Sequence, residues 1–267
     1  RPPRSTLFPY TTLFRSWGTF SDCSSLTSIS IPEAVTSIES YAFSGCSSIT
    51  SIIIPKNVTA INSNVFYKCN NLESVIIPDG VTTIGQRAFL ECTNLVSVNI
   101  PEGVTSIGES AFYSCSNLAS ISLPESITSI GGSAFMQCHS LTEINIPRGV
   151  TIIEEQTFRS CDNLTNITIP DGLTSIGNYA FVFCNSLKSI VIPKSVVSIG
   201  GRAFEFCSSL REITSFIKEP FEIPTSPNST FFSTTLNSGT LYVPYGTKEK
   251  YEATNGWKEF RNIVEMD

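Results

Sequence analysis

The sequence predicts a solenoid of short parallel strands, stacked coil upon coil and closed at its C-terminal end by a divergent unit. Three observations carry this prediction. Cysteines recur every 23 residues from Cys23 to Cys207, phenylalanines keep the same step from Phe20 to Phe204, and prolines keep it from Pro32 to Pro193. A fixed period of about 20 to 50 residues is typical of repeat architectures, in which each unit contacts only its neighbours.

The composition excludes several functional classes. The 267 residues are 41% hydrophobic and 15% charged, which is apolar enough to bury a large core and rules out wholesale disorder. The balance of 17 Lys+Arg against 23 Asp+Glu, a net charge of −6, argues against general nucleic-acid binding. No apolar run reaches the roughly 18 residues of a membrane-spanning helix. The single histidine, His139, disfavours histidine-dependent catalysis.

The first 16 residues differ from everything that follows. Residues 1–16, RPPRSTLFPYTTLFRS, resemble the direct translation of a sequencing-library adaptor, so we exclude them from fold reasoning and expect them not to fold. The native part then begins near Trp17, and we expect an N-terminally truncated chain whose signal region or upstream domain is missing. Without Arg1, Arg4 and Arg15, the remaining 14 basic and 23 acidic residues give a net charge of −9.

Each repeat begins with a strand pattern that proline terminates. The unit reads L-x-S-I-x-I-P-x-x-V-T-S-I-G-x-x-A-F-x-x-C-x-x, and residues 95–117 are a representative copy. Leu26, Ile29 and Ile31 alternate as in a strand with one buried face. Pro32 has no N–H to donate, so it ends the strand and lets the chain turn.

The second half of the unit returns to the core and closes the coil. Val35 and Ile38 bring apolar groups back, and alanine with phenylalanine, as in Ala111-Phe112, packs the convex side. Five copies place glycine after the second isoleucine, where we expect a permissive backbone at a corner: Gly85, Gly108, Gly131, Gly177 and Gly200. Glu39, Asn62 and Glu154 replace that glycine in other copies, and Val65 and Thr157 replace the alanine, with effects expected on local turn geometry.

Repeats of about 20 to 29 residues with an L-x-x-L-x-L core are leucine-rich repeats. The I-x-I-P strand end, the V-T-S-I-G segment and the A-F-x-x-C close resemble the bacterial BspA-like, or Treponema pallidum-type, family over residues 17–213, in about eight to nine units. The resemblance implies a leucine-rich repeat solenoid, of the α/β horseshoe class but predominantly β. It also implies an extracellular or cell-surface location and adhesion to host or partner proteins.

The cysteine column has three interpretations. Buried thiols that repeat one packing role are favoured, because metal sites need closely spaced cysteine pairs and the sequence has none. Disulfides between adjacent coils are disfavoured by parallel side chains and by an odd count of nine. A metal or redox role is the third interpretation. Nine free thiols conflict with an oxidising compartment, and the sequence leaves that conflict open.

The repeat pattern fails after Cys207, and residues 214–267 are expected to form a divergent C-terminal repeat or cap. Leu241–Pro244 still reads as a strand ending in proline, Thr247–Ala253 as a short helix, and Trp257 with Phe260 as a plug over the open end of the core. The segment resembles the terminal unit that closes BspA-like arrays in Bacteroidetes-type surface proteins.

We expect no catalytic, cofactor-binding or metal-binding residues. Cys138 and His139 are successive and point opposite ways on an extended chain, and no phosphate loop or nucleophile elbow is present. Alternation instead predicts one solvent-facing column along the strands as a candidate partner-binding face: Ser30, Ile53, Ile76, Asn99, Ser122, Asn145, Thr168 and Val191. Ile53, Ile76 and Val191 interrupt a small polar surface, either as interface anchors or as ordinary strand-forming residues.

We therefore expect a monomeric, non-enzymatic protein-interaction domain. The resemblance implies extracellular-matrix or plasma proteins as partners, by analogy. Two alternatives remain open: a structural spacer or stalk that presents a missing domain, and the recognition arm of a larger secreted enzyme.

Overall fold

Each 23-residue repeat forms one coil of a solenoid that carries two short parallel strands. The computed structural model describes residues 17–267; the adaptor-like residues 1–16 lie outside the described residues. The first strand of each coil ends one or two residues before the repeat proline, whose carbonyl accepts the N–H three residues on, as from Val35 to Pro32. Proline therefore ends the strand and begins the turn, as predicted.

The first ladder follows the I-x-I segments and continues into the C-terminal region. Its strands pair in parallel as β1–β3, β5–β7, β9–β11 and β13–β15–β16–β17. Their bounds are Ser51–Ile53 (β1), Ser74–Ile76 (β3), Ser97–Asn99 (β5), Ser120–Ser122 (β7), Glu143–Asn145 (β9), Asn166–Thr168 (β11), Ser189–Ile192 (β13), Glu212–Ser215 (β15), Thr240–Val243 (β16) and Asn262–Glu265 (β17).

A second ladder of two-residue strands follows the T-S-I segments, where the sequence predicted only a return to the core. It pairs in parallel as β2–β4–β6–β8 and β10–β12–β14. The bounds are Ala60–Ile61 (β2), Thr83–Ile84 (β4), Ser106–Ile107 (β6), Ser129–Ile130 (β8), Ile152–Ile153 (β10), Ser175–Ile176 (β12) and Ser198–Ile199 (β14). Each coil thus contributes to two sheets.

The first coil departs from this pattern. Residues 26–31 form no strand in the structure, so the strand expected there is wrong. Leu26 and Ile29 are partly buried and still pack against the core, and Ile31 is buried. The coil is therefore joined to its neighbour by packing at these positions.

Phenylalanine rings form a continuous stack through the core. From Phe20 to Phe231, successive rings lie 5.1–5.8 Å apart between centroids, with interplanar angles of 1–18°. Such offset stacking adds to the energy of burying the rings. Phe231 follows Phe204 by 27 residues, so the stack continues one coil beyond the point where the sequence period fails.

The C-terminal segment covers the end of this stack. It contains the helices Ser233–Ser238 (α1) and Lys248–Ala253 (α2) and the 3-10 turn Trp257–Glu259. Trp257 is fully buried, its ring 5.9 Å from that of Phe231, and its indole N–H donates to the carbonyl of Phe221. Phe260 packs edge-on against Phe231. The short helix and the aromatic plug are thus both present.

The repeat glycines act by allowing close approach, and not by a special backbone conformation. None of Gly85, Gly108, Gly131, Gly177 and Gly200 has a positive φ; a Cβ on Gly108 would lie 2.5 Å from the amide nitrogen of Gln86. The expectation of a permissive backbone is wrong, because the left-handed residues of each coil are mostly non-glycine, such as Arg87 and Glu91.

Where the glycine is replaced, the second ladder changes. At Glu154 the pairing between β8 and β10 is lost. At Asn62 the side-chain Nδ2 donates a hydrogen bond to the carbonyl of Ile38 at 2.8 Å. In a coil that has the glycine, the equivalent bond comes from the backbone, as from the Gly108 N–H to the Ile84 carbonyl. The departure from glycine therefore interrupts the ladder at Glu154, whereas at Asn62 a side-chain bond still joins the adjacent coils.

Candidate functional site

The candidate strand face is the solvent-facing column of the first ladder. All eight of its residues are exposed: Ser30, Ile53, Ile76, Asn99, Ser122, Asn145, Thr168 and Val191. Seven of them lie on strands that alternate exposed and buried positions, with the buried position held by an isoleucine or valine of the core. Ser30 lies in the first coil, which forms no strand, so it is exposed beside the ladder and not on it.

Strand pairing brings members of this column together. Parallel register places Ile53 opposite Ile76, Asn99 opposite Ser122, and Asn145 opposite Thr168. Ile53 and Ile76 are 63% and 59% exposed, so two large apolar side chains from adjacent coils stand side by side in solvent. Val191 pairs with Thr214, well away from them along the ladder.

The structure extends the strand face beyond the eight predicted residues. Thr214, Tyr242 and Val264 follow Val191 in register on β15, β16 and β17. The sequence period is lost after Cys207, which hid these positions, although the L-Y-V-P motif at 241–244 was a usable signal for Tyr242.

A second column of small polar residues borders the first on these strands. It comprises Ser28, Ser51, Ser74, Ser97, Ser120, Glu143, Asn166 and Ser189, all of them exposed. The surface around Ile53 and Ile76 is therefore hydroxyl-rich and nearly uncharged, so an apolar pair is bordered by residues that a partner can desolvate at modest cost.

The cysteines are structural thiols. All nine are free; eight are buried, and Cys23 alone is exposed, which corrects the expectation of one buried thiol in every coil. Each buried Sγ donates to the carbonyl of the phenylalanine 26 residues earlier at 3.0–3.2 Å, as from Cys115 to Phe89. That carbonyl also accepts an N–H within its own coil, from Cys92 in the case of Phe89, so the thiol fills its second acceptor position.

Burial also makes these thiols unreactive. Desolvation raises the pKa of Cys46 to about 11 and that of Cys207 to about 12, and holds the pKa of Cys115 well above its ordinary value. A thiol that keeps its proton is a poor nucleophile and a poor metal ligand.

His139 has a partner that sequence reasoning missed. Its Nδ1 lies 2.6 Å from Oδ2 of Asp162 at an exposed position, and Nδ2 of Asn185 donates to the other Asp162 oxygen at 3.0 Å. The signal was the common repeat position, since the three residues are 23 apart. They form a polar ladder on the surface; Cys138 is buried and donates to Phe112.

Residues 17–267 offer neither a metal site nor a membrane-spanning helix. No group of three or more His, Cys, Asp or Glu in this part is placed to hold a metal ion. Within the same range, no helix has the length and apolar character to cross a membrane.

Stacked 23-residue coils with a solvent-facing strand column define a leucine-rich-repeat solenoid. The profile of the BspA type Leucine rich repeat region (6 copies) matches residues 16–142 and 128–245, and the chain belongs to this family. No match to a curated protein is found.

Solved structures agree with this assignment. A leucine-rich repeat protein from Bacteroides ovatus is 30% identical with a TM-score of 0.76 over 92% of this chain, and the chain spans 62% of that protein. The leucine-rich repeat protein of T. pallidum is 28% identical with a TM-score of 0.53, covering 66% of this chain and 72% of that one.

Proposed function

We propose that the chain is a non-enzymatic interaction domain of a bacterial surface or secreted protein, and that it binds protein partners through the strand face. The paired exposure of Ile53 and Ile76 carries this proposal. Large apolar side chains that stay adjacent in solvent are typical anchors of protein interfaces. Solenoids commonly recognise partners along such an extended surface.

The partner class and the location rest on the family. Membership of the BspA-type repeats supports an adhesin-type role outside the cell, toward extracellular-matrix or plasma proteins. The raised pKa values support persistence of free thiols there, because buried thiols that keep their protons resist oxidation. A stalk or an enzyme's recognition arm would use the same coils but would not require Ile53 and Ile76 to be apolar.

The test is binding of the described chain to a panel of purified extracellular-matrix and plasma proteins by surface plasmon resonance. Each isoleucine is about 60% exposed, so its burial is worth about 1 kcal/mol, and removing the pair weakens binding about 30-fold. The double substitution Ile53→Asp and Ile76→Asp is therefore expected to raise the dissociation constant at least about 30-fold.

The matched control is Ile152→Asp. Ile152 is an exposed isoleucine on β10 of the second ladder, so the same chemical change falls on a different sheet. Binding is unchanged in this control. Absence of saturable binding to every protein of the panel would refute the partner class, and equal affinity of the wild type and the double variant would refute the strand face.

A further inference from the structure

A shallow pocket lies on the turns that follow the second ladder, on a surface distinct from the strand face. Tyr67, Leu90 and Tyr113 line it at one repeat position of three consecutive coils, each 23 residues from the next. The pocket encloses about 440 Å³, which falls among the volumes of small-molecule sites. We call it the tyrosine pocket.

Two buried polar side chains in this pocket lack partners. Asn64 and Ser110 are only 7% and 8% exposed, and both line it. Their backbone groups are hydrogen-bonded to neighbouring coils. Among the described residues neither side chain makes a hydrogen bond, and neither has a fully enclosed polar atom, so their polar atoms reach the solvent of the pocket. An amide and a hydroxyl that have no protein partner and open toward a pocket are available to a ligand that displaces the water there.

The pocket also holds one charge of each sign. Arg87 stands between Asn64 and Ser110 in the repeat, and Glu91 follows one turn later. Among the described residues, neither of these side chains forms a salt bridge or a hydrogen bond. Lys68 lies nearby, its Nζ 5.1 Å from the centroid of Tyr67, and it interacts electrostatically with Glu91. Tyr41 also lines the pocket, and the Trp17 ring lies 4.8 Å from its own, so we take Tyr113 as the aromatic platform for a ligand.

These groups specify the chemistry of the ligand. A guanidinium, a carboxylate, an amide and a hydroxyl together need a partner that both donates and accepts hydrogen bonds and carries no net charge. Three tyrosine rings and a leucine offer an apolar surface that a ligand can cover. An anion would meet the carboxylate of Glu91, and an apolar peptide would bury Arg87 and Glu91 without partners.

A sugar ring meets both requirements, since it has an apolar C–H face and a rim of hydroxyls. We propose that the tyrosine pocket binds a neutral saccharide, whose ring face rests on Tyr113 and whose hydroxyls bond to Asn64, Arg87, Glu91 and Ser110. The protein would then hold a glycan on one surface and a protein partner on the other, and neither proposal depends on the other.

The experiment is calorimetric titration of the described chain with lactose, mannotriose, N-acetylchitotriose and cellotetraose, with a heparin tetrasaccharide as the acidic comparison. We expect saturable binding of at least one neutral probe. Tyr113→Ala weakens that binding at least about tenfold, the scale of one lost stacking platform. The matched control is Met136→Ala, at the same repeat position one coil on and outside the pocket lining, which leaves affinity unchanged.

A second variant keeps the test decisive if Tyr113→Ala folds poorly. Arg87 is exposed and its side chain makes no hydrogen bond with the described residues, so Arg87→Ala leaves the fold intact and still weakens saccharide binding. In ¹⁵N spectra, the Asn64 side-chain amide, assigned with Asn64→Ala, shifts on titration. The proposal is overturned if no neutral probe saturates at millimolar concentration, if heparin binds more tightly than every neutral probe, or if Arg87→Ala binds like the wild type.

Discussion

Gly108 tests how adjacent coils are held together. An alanine Cβ at this position would lie 2.5 Å from the amide nitrogen of Gln86 and 2.6 Å from the carbonyl carbon of Gly85. Both atoms belong to the backbone of the preceding coil, so no side chain can rotate away and the two coils must separate. The interrupted pairing at Glu154 shows what such a separation looks like.

The cost follows from the hydrogen bonds at stake. Separation breaks the bonds from the Gly108 N–H to the Ile84 carbonyl at 2.8 Å and from the Thr105 N–H to the Thr82 carbonyl at 2.9 Å. Two such bonds are worth about 2 kcal/mol. Alanine also lowers the conformational entropy of the unfolded chain, which stabilises the folded state by about 0.4–1 kcal/mol. We therefore expect Gly108→Ala to lower the free energy of unfolding by about 1–2 kcal/mol.

The assay is urea unfolding followed by circular dichroism, with Gly172→Ala as the matched control. A Cβ on Gly172 would meet only the Arg148 carbonyl oxygen at 3.7 Å, an ordinary contact. This control keeps its ladder and gains about 0.4–1 kcal/mol from the restricted unfolded chain. If Gly108→Ala is as stable as Gly172→Ala, close approach of the coils is not why glycine occupies the position.

Two further predictions test the cap and the thiols. Trp257→Ala removes the plug from the phenylalanine stack and costs about 3–5 kcal/mol in urea unfolding, whereas Trp17→Ala, at a 72% exposed side chain, stays within about 0.5 kcal/mol of the wild type; similar costs would disprove the plug. Because the folded-state pKa of the buried thiols lies above the unfolded value of 9.0, their contribution to stability is complete below pH 9 and is lost as pH rises above it. Between pH 8 and pH 9.5 the free energy of unfolding falls by roughly 1 kcal/mol for each buried thiol, and Cys115→Val reduces the total fall by one such share. A urea midpoint that does not move between these pH values would contradict the burial of the thiols.

The sequence was most informative about positions that repeat. The positions of Phe112, Cys115 and Ile107 are buried in every coil after the first, so periodicity alone predicted a strand ladder, an aromatic core and buried thiols. The glycines show the limit of that reasoning. Periodicity marks Gly108 as necessary, but only the three-dimensional distance to the preceding coil distinguishes close packing from a special φ.

The C-terminal segment could be predicted only in its parts. The proline-terminated strand at 240–243 and the helix at 248–253 carry local signals. The 27-residue step from Phe204 to Phe231 is invisible to a search at a fixed period, because an insertion shifts every later residue while the stack of rings continues. Ring geometry, and not spacing, identifies Phe231 as the next member.

Both candidate binding surfaces lie at the variable positions of the repeat. The consensus assigns leucine, isoleucine, glycine, phenylalanine and cysteine to packing, which leaves the x positions free to differ between coils without cost to the core. The sequence predicts Ile53 and Ile76 as part of one exposed column, because strand alternation is a local pattern. It did not predict the pocket of Tyr67 and Tyr113, because these tyrosines flank Leu90 across three coils and are 46 residues apart.

The two surfaces share coils but not contacts, and this makes them separable. Ile76 lies on β3, and Tyr67 lies in the turn that precedes β3 in the chain. The core between the two surfaces consists of repeat residues that neither proposal involves. Solenoid stability is carried by neighbour-to-neighbour packing, so an exposed substitution on one surface should leave the other unaltered. We therefore expect the Ile53→Asp and Ile76→Asp variant to retain full saccharide affinity, and Arg87→Ala to retain full protein binding. Loss of both activities in either variant would show that a single surface serves both ligands.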